Sequence, residues 1–124
     1  MWYFTNDRPI YVQLVEQIGV KIVNGSYAPG EKLPSVRDMA AEVGANPNTV
    51  QRAFSELERS GIISTQRTNG RFITEDKEMI AKMREDLAKE KIEEFIKVMK
   101  DFGYDAEEIA RVVANYATGK ESAR

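Results

Sequence analysis

The side chains most able to bond to something outside the chain cluster between residues 46 and 55. They are Asn46, Asn48, Thr49, Gln51, Arg52 and Ser55, with no carboxylate among them. Asn and Gln can pair bidentately with an adenine edge, and Arg with a guanine edge. Further on, Arg67 and Arg71 flank Thr68-Asn69-Gly70, where a minor-groove or phosphate contact would be made, and Arg37 lies upstream. From Val43 to Thr74 there are four arginines against two glutamates. This is the chemistry of non-covalent recognition of a nucleic acid. The plainer alternative is a solvated helix face with ordinary surface arginines. Asn46 and Thr49 in particular fit capping or positioning better than base reading.

Covalent chemistry is poorly provided for. The chain has no Cys and no His, so it lacks disulfides, a thiolate nucleophile, the commonest general base and the commonest metal ligands. No phosphate-cradling glycine loop and no paired-carboxylate pocket can be assembled from the remaining residues. An enzyme is therefore not expected, nor a cofactor or metal. No apolar run approaches the ~20 residues of a membrane span, and Met1-Trp2-Tyr3-Phe4 is too short for a signal peptide. A cytoplasmic protein with no membrane partner is expected.

The elements that position these side chains follow from spacing. Pro9 suits the first position of a helix carrying Tyr11, Leu14, Val15, Ile18 and Ile22 on one stripe, stopped by Asn24-Gly25. Gly19 inside it is a weak helix former, explained only by close packing. Tyr27 to Gly30 make a turn. Ser35 is a good N-cap for a short helix with Val36, Met39, Ala40 and Val43, closed by Gly44. Asn46 then caps a third helix with Pro47 in first position, whose buried stripe is Val50, Ala53, Phe54 and Leu57 and which Ser60-Gly61 ends. Two helices across a tight glycine turn form a helix-turn-helix. Ile62 to Gln66 and Arg71 to Thr74 are β-prone around the Asn-Gly signal, so a hairpin wing follows. Trp2 to Phe4 could add another strand. The expected fold is mainly α with a small β-wing.

Composition changes at residue 75. All four prolines and six of the eight glycines precede it, and residues 75–102 have neither. A winged helix-turn-helix domain is expected over 1–74 and a helical dimerisation region over 75–124. The pattern from 76 to about 102 reads as one helix, which would span about 40 Å, more than the roughly 35 Å across a compact chain of this size. Its apolar positions are Ile80, Met83 and Leu87, then a shifted set Ile92, Phe95, Met99 and Phe102. Gly103 stops it. Asp105 with Glu108 resembles a capping box, opening a last helix with Ile109, Val112, Val113 and Tyr116 in its stripe. Two helices cannot enclose a core alone. Either they pack back on the winged domain, or two copies interlock through these residues as a homodimer. The dimer is favoured, since a two-fold dimer reads palindromic half-sites about 34–36 Å apart. The Met and aromatic stripe could line a small-molecule effector site, but such stripes are far more often core.

Several runs keep a familiar order. Pro9 to Leu14, Pro29 to Arg37 through Gly-Glu-Lys-Leu-Pro-Ser-Val, Asn46 to Val50, Phe54 to Glu58 and Gly61 together resemble the winged helix-turn-helix of the GntR family of bacterial transcription regulators. The likeness covers residues 9 to 74. It implies double-stranded DNA as partner, with contacts from Ser35 and Arg37, from Asn46, Asn48, Thr49, Gln51 and Arg52 in the major groove, and from a wing of Arg67, Asn69, Gly70 and Arg71. Thr68 stands where the family's wing usually has a glycine, and Pro47 and Gln51 stand where some branches have Arg. The short two-helix tail resembles the YtrA-type branch, whose members often sit beside genes for ABC transporters. The implied function is a homodimeric repressor. A protein-interaction winged-helix module with an oligomerising tail is the competing reading, supported by the net charge of −2. That charge is uneven: residues 1–74 carry 8 basic and 7 acidic groups, residues 75–124 carry 10 and 13. A locally basic head on an acidic chain should bind DNA with strong salt sensitivity and little non-specific affinity.

Overall fold

The structure, a computed structural model, describes residues 2–120. Helices α1 (Ile10–Val23), α2 (Val36–Val43) and α3 (Pro47–Ser60) are followed by strands β1 (Ile63–Gln66) and β2 (Gly70–Ile73), then helices α4 (Lys77–Asp101) and α5 (Ala106–Ala117). The fold is mainly helical with a two-stranded antiparallel wing. Compact packing divides the chain into two units that meet between Glu85 and Asp86, inside α4.

The first unit is built on local signals. Ser35 Oγ accepts the Asp38 N–H at the head of α2, and Gly44 ends that helix in the left-handed region. Asn46 caps α3 with Pro47 as its first residue, and Gly61 closes it at φ +85°. Pro9 differs by one place from expectation. Its ψ of 140° is extended, so it is the N-cap of α1 rather than its first residue. The anticipated stripes meet in one core: Leu14, Ile18 and Ile22 from α1, Met39, Ala40 and Val43 from α2, and Val50, Ala53, Phe54 and Leu57 from α3. Leu33, Ile62, Ile63 and Ile73 close it from the wing side. Gly19 is among the buried residues of α1.

Trp2 to Phe4 are not a strand. Backbone groups of Tyr3, Thr5 and Arg8 are bonded instead by two glutamines one helical turn apart on α1. Gln17 bonds both the N–H and the carbonyl of Tyr3. Gln13 accepts the Thr5 N–H at 2.8 Å and donates to the carbonyls of Thr5 and Arg8 at 2.9 and 2.7 Å. Side-chain amides thus supply the ladder that a partner strand would have given. Gln13, only 3% exposed, is buried at no cost in unmet hydrogen bonds. Trp2 and Phe4 pack against the core beneath.

The wing has an edge that spacing does not reveal. β1 and β2 pair from Ile63 with Ile73 to Gln66 with Gly70. The turn is closed by the Asn69 N–H on the Gln66 carbonyl, and Gly70 is the first residue of β2, at φ +104°. On the far side of β2 the segment 30–33 runs alongside: Gly30 N–H to Ile73 O, Ile73 N–H to Glu31 O, and Leu33 N–H to Arg71 O at 2.8 to 3.0 Å. Lys32 pairs with Phe72 in an isolated bridge.

The start of α4 belongs to this unit. Asp76 caps it through the N–H groups of Glu78 and Met79, and Met79, Ile80 and Met83 pack against the core. Ile80 and Met83, two of the residues expected at a dimer interface, lie half-buried against this core. The second unit is the remainder of α4 with α5. Gly103 ends α4 with bonds from its own N–H to Lys100 O and from the Tyr104 N–H to Met99 O, a Schellman closure. Asp105 and Glu108 form the full capping box of α5.

Candidate nucleic-acid interface

The site is the outer face of α3 and what surrounds it. With Val50, Ala53, Phe54 and Leu57 all buried, the helical period forces Asn48, Gln51, Arg52 and Ser55 outward, and all four are exposed. The side chains of Asn48, Gln51 and Ser55 make no hydrogen bond among the described residues, which leaves their donors and acceptors available. Asn46 is occupied, since its side chain accepts the Asn48 N–H at 2.7 Å. Ser35 is likewise a cap. Thr49 is half-buried. Ser35 and Asn46 hold the helix starts in place, and a phosphate there would meet the remaining free N–H groups.

Arg52 is the best-defined side chain of the face. Its guanidinium lies 3.9 Å from the centroid of the Tyr11 ring, on α1. The ring holds the cation in a fixed direction by cation–π attraction while leaving its N–H groups unmet. Sequence spacing assigns Tyr11 to the apolar stripe and misses this role. The signal was present in the aromatic residue at the margin of that stripe.

Arg37, second residue of α2, is exposed and has no ion-pair partner among the described residues. A cation there opposes the positive end of the helix dipole, so the position has no local structural reason to be basic. At the wing, Arg67, Thr68 and Asn69 form the exposed turn. Arg71 points elsewhere: its guanidinium lies over the Phe54 ring at 5.1 Å and its Nε is 3.7 Å from Glu58 Oε1. That Nε is buried without a hydrogen bond. The structure therefore gathers Arg37, Asn48, Gln51, Arg52 and Arg67 as outward groups and turns Arg71 onto α3.

The helical unit presents a different kind of surface. Met99 and Ile109 are buried, Val112 and Leu87 half-buried, while Ile92, Phe95, Phe102, Val113 and Tyr116 are exposed. Phe102 and Tyr116 remain 72% and 71% accessible, too much for side chains packed in a finished core. Two apolar hollows of about 610 and 600 Å³ share Phe95 and Val113. Among the described residues no cluster of His, Cys, Asp or Glu could hold a metal ion, and no helix is long and apolar enough to cross a membrane.

Comparison with known proteins agrees with this geometry. The family model for bacterial regulatory proteins of the gntR family matches residues 10–73. The HTH-type transcriptional regulator YhcF of Bacillus subtilis is 41% identical over 116 residues, 94% of this chain and 96% of that protein. The HTH-type transcriptional repressor YtrA of the same organism is 41% identical over 92 residues, covering 73% of this chain and 71% of that one. Among solved structures, a GntR family transcriptional regulator from Listeria monocytogenes superposes with a TM-score of 0.85 at 43% identity, covering 90% of this chain and 98% of its own. These are transcription regulators and not enzymes. The chain belongs to the GntR family of DNA-binding bacterial transcription regulators, and to its YtrA-type branch.

Proposed function

We propose that this regulator works in the cytoplasm as a homodimer that binds a palindromic operator and represses the promoter it occupies, with a transporter operon as its target. The observation that carries the reading is the exposed, carboxylate-free face of Asn48, Gln51, Arg52 and Ser55 on α3. Gln51 and Arg52 are the base readers, because each can make two parallel bonds to one base edge. Arg37 and Arg67 position the unit through phosphates, which fixes register without reading sequence.

Dimerisation is supported by the apolar side chains of α4 and α5 left exposed in a single chain. Burying that surface against a second copy removes it from water at about 25 cal/mol per Å². Repression is supported by the likeness to a relative named a repressor. An occupied promoter excludes polymerase, and no activating surface is needed. The transporter target rests on the branch resemblance alone.

Mobility shift on a duplex from the promoter of this chain's own gene, run beside a scrambled duplex, tests the reading. Preferential retention of the promoter duplex by two copies of the chain is expected. Equal binding to both duplexes at moderate salt would refute sequence-specific regulation. Sedimentation at micromolar concentration checks the dimer, and a monomer there would remove that part of the proposal.

A further inference from the structure

Lys32 is not among the residues that spacing or resemblance assigns to DNA. The wing places it there. The segment 30–33 pairs with the free edge of β2 through the backbone bonds of Gly30, Glu31 and Leu33, and Lys32 stands opposite Phe72. From that position a long side chain reaches diagonally along the edge toward the next residue on the same face of β2. The Lys32 side chain does so. Its Cε lies 2.9 Å, and its Nζ 3.7 Å, from where a Cβ on Gly70 would stand. A glycine at this position therefore clears the path for the lysine stem as well as permitting the turn. The ammonium is delivered beside the wing turn that carries Arg67.

Its charge is unclaimed. Lys32 is exposed and has no ion-pair partner among the described residues. The neighbouring Glu31 is engaged with its own turn, accepting the Ala28 N–H at 2.8 Å. Arg71, by contrast, is drawn back by Glu58 and Phe54. We infer that Lys32 is a phosphate-binding residue of the wing, acting beside Arg67, and that it supplies the cation Arg71 does not. The inference rests on the DNA-binding reading of the first unit. A lysine ammonium is a compact point charge with no fork to match a base edge, so the contact is with backbone phosphate and is blind to sequence.

The test uses the full chain, a duplex from the promoter of its own gene and a scrambled duplex of equal length, with affinity followed by fluorescence anisotropy across a salt series. K32Q should weaken binding to both duplexes by the same factor. Its log–log salt slope should be shallower by about 0.9 for each bound protomer, which is about eightfold in affinity between 1 M and 0.1 M salt. K32R should keep the original slope. K91Q alters an exposed α4 lysine paired with Glu94 and serves as control, with an unchanged slope. A K32Q slope equal to that of the unsubstituted protein overturns this inference alone. So does a loss confined to the promoter duplex, which would mark a base contact. Failure of the unsubstituted protein to bind either duplex overturns the DNA-binding reading and this inference with it. Equal melting temperatures for K32Q and the unsubstituted protein would confirm that folding is not the cause.

Discussion

The contact between Tyr11 and Arg52 gives the sharpest prediction, because it links a core helix to the α3 face through a single distance. At 3.9 Å from the ring centroid the guanidinium is in full cation–π contact, and it has no carboxylate partner among the described residues. Exposed contacts of this kind contribute about 0.5–1 kcal/mol. Replacing Tyr11 by Leu keeps an apolar side chain against the core and removes the π face. Arg52 then samples directions that do not reach a base. The loss should be about two- to fivefold in affinity for the operator, the same free energy expressed as a ratio. Arg52→Ala should cost more, about 1–3 kcal/mol, if it pairs bidentately with guanine.

The decisive measurement is a double-mutant cycle by anisotropy at fixed salt. If Tyr11 acts through Arg52, Tyr11→Leu has no further effect once Arg52 is Ala, and the coupling equals the whole effect of the tyrosine. A twofold or greater loss from Tyr11→Leu that persists in the Arg52→Ala background would refute the reasoning, since Tyr11 would then act on DNA or on the fold by itself. Denaturation of each variant separates the second possibility. Tyr11 is half-buried, and its replacement should lower stability modestly, by more with Arg52 present than in the Arg52→Ala background, where the cation–π contact is already gone.

Three further outcomes follow from particular side chains. Phe95→Glu places a charge at the residue shared by both apolar hollows; sedimentation should show a monomer, with melting of the winged unit unchanged. Asp105→Ala removes a capping box that satisfies two backbone N–H groups, and chemical denaturation should register a loss of about 1 kcal/mol. Burial, reinforced by Glu42 and Glu31, pushes the Tyr27 phenol from 10.0 up to about 12. The folded chain holds that proton more tightly than the unfolded one, so the contribution is intact below pH 10.0 and is lost as pH rises toward about 12. Tyr27→Phe should flatten that alkaline decline in thermal melts, and an undiminished decline would show that another group causes it.

What the sequence disclosed and what it hid divide along the range of the interactions. Ser35, Asn46 with Pro47, Gly44, Gly61 and the Asp105–Glu108 box are each decided within four residues, and each does in the structure what its spacing implies. The buried stripes of α1, α2 and α3 were equally legible, because the helical period alone sorts their residues. Apart from Pro9, which caps α1 instead of opening it, the differences lie at longer range. Trp2 to Phe4 have the composition of a strand, but Gln17 bonds the backbone of Tyr3 and Gln13 that of Thr5, so side chains of α1 stand in for a partner strand. Ile80 and Met83 continue the pattern of α4 without interruption, and nothing in that pattern says that its first turns face the core of the winged unit. Nor does spacing show that 30–33 is the third edge of the wing.

The same distinction resolves how an acidic chain presents a basic surface. Between Val43 and Thr74, counting charges leaves four arginines against two glutamates, as though all four faced DNA. The structure sorts them. Glu56 pairs with Arg59 at 2.9 Å on the exposed surface of α3, and Glu58 faces Arg71 at 3.7 Å, so each acid in the stretch is matched by an arginine. Arg52 and Arg67 remain. The head of α2 adds Arg37, and the edge beside β2 adds Lys32, both from a segment whose own charge is balanced by Glu31 and Asp38. The acids of that segment are set on turns and caps: Glu31 bonds the Ala28 N–H, and Asp38 sits in the first turn of α2, where a carboxylate stabilises the helix. Local folding thus holds carboxylates against backbone N–H groups and arginines and leaves Lys32, Arg37, Arg52 and Arg67 exposed with no ion-pair partner among the described residues. In the proposed dimer two copies engage DNA together and double these cations, and on that reading the exposed apolar face of α4 and α5 matters to DNA binding as directly as the residues proposed on α3.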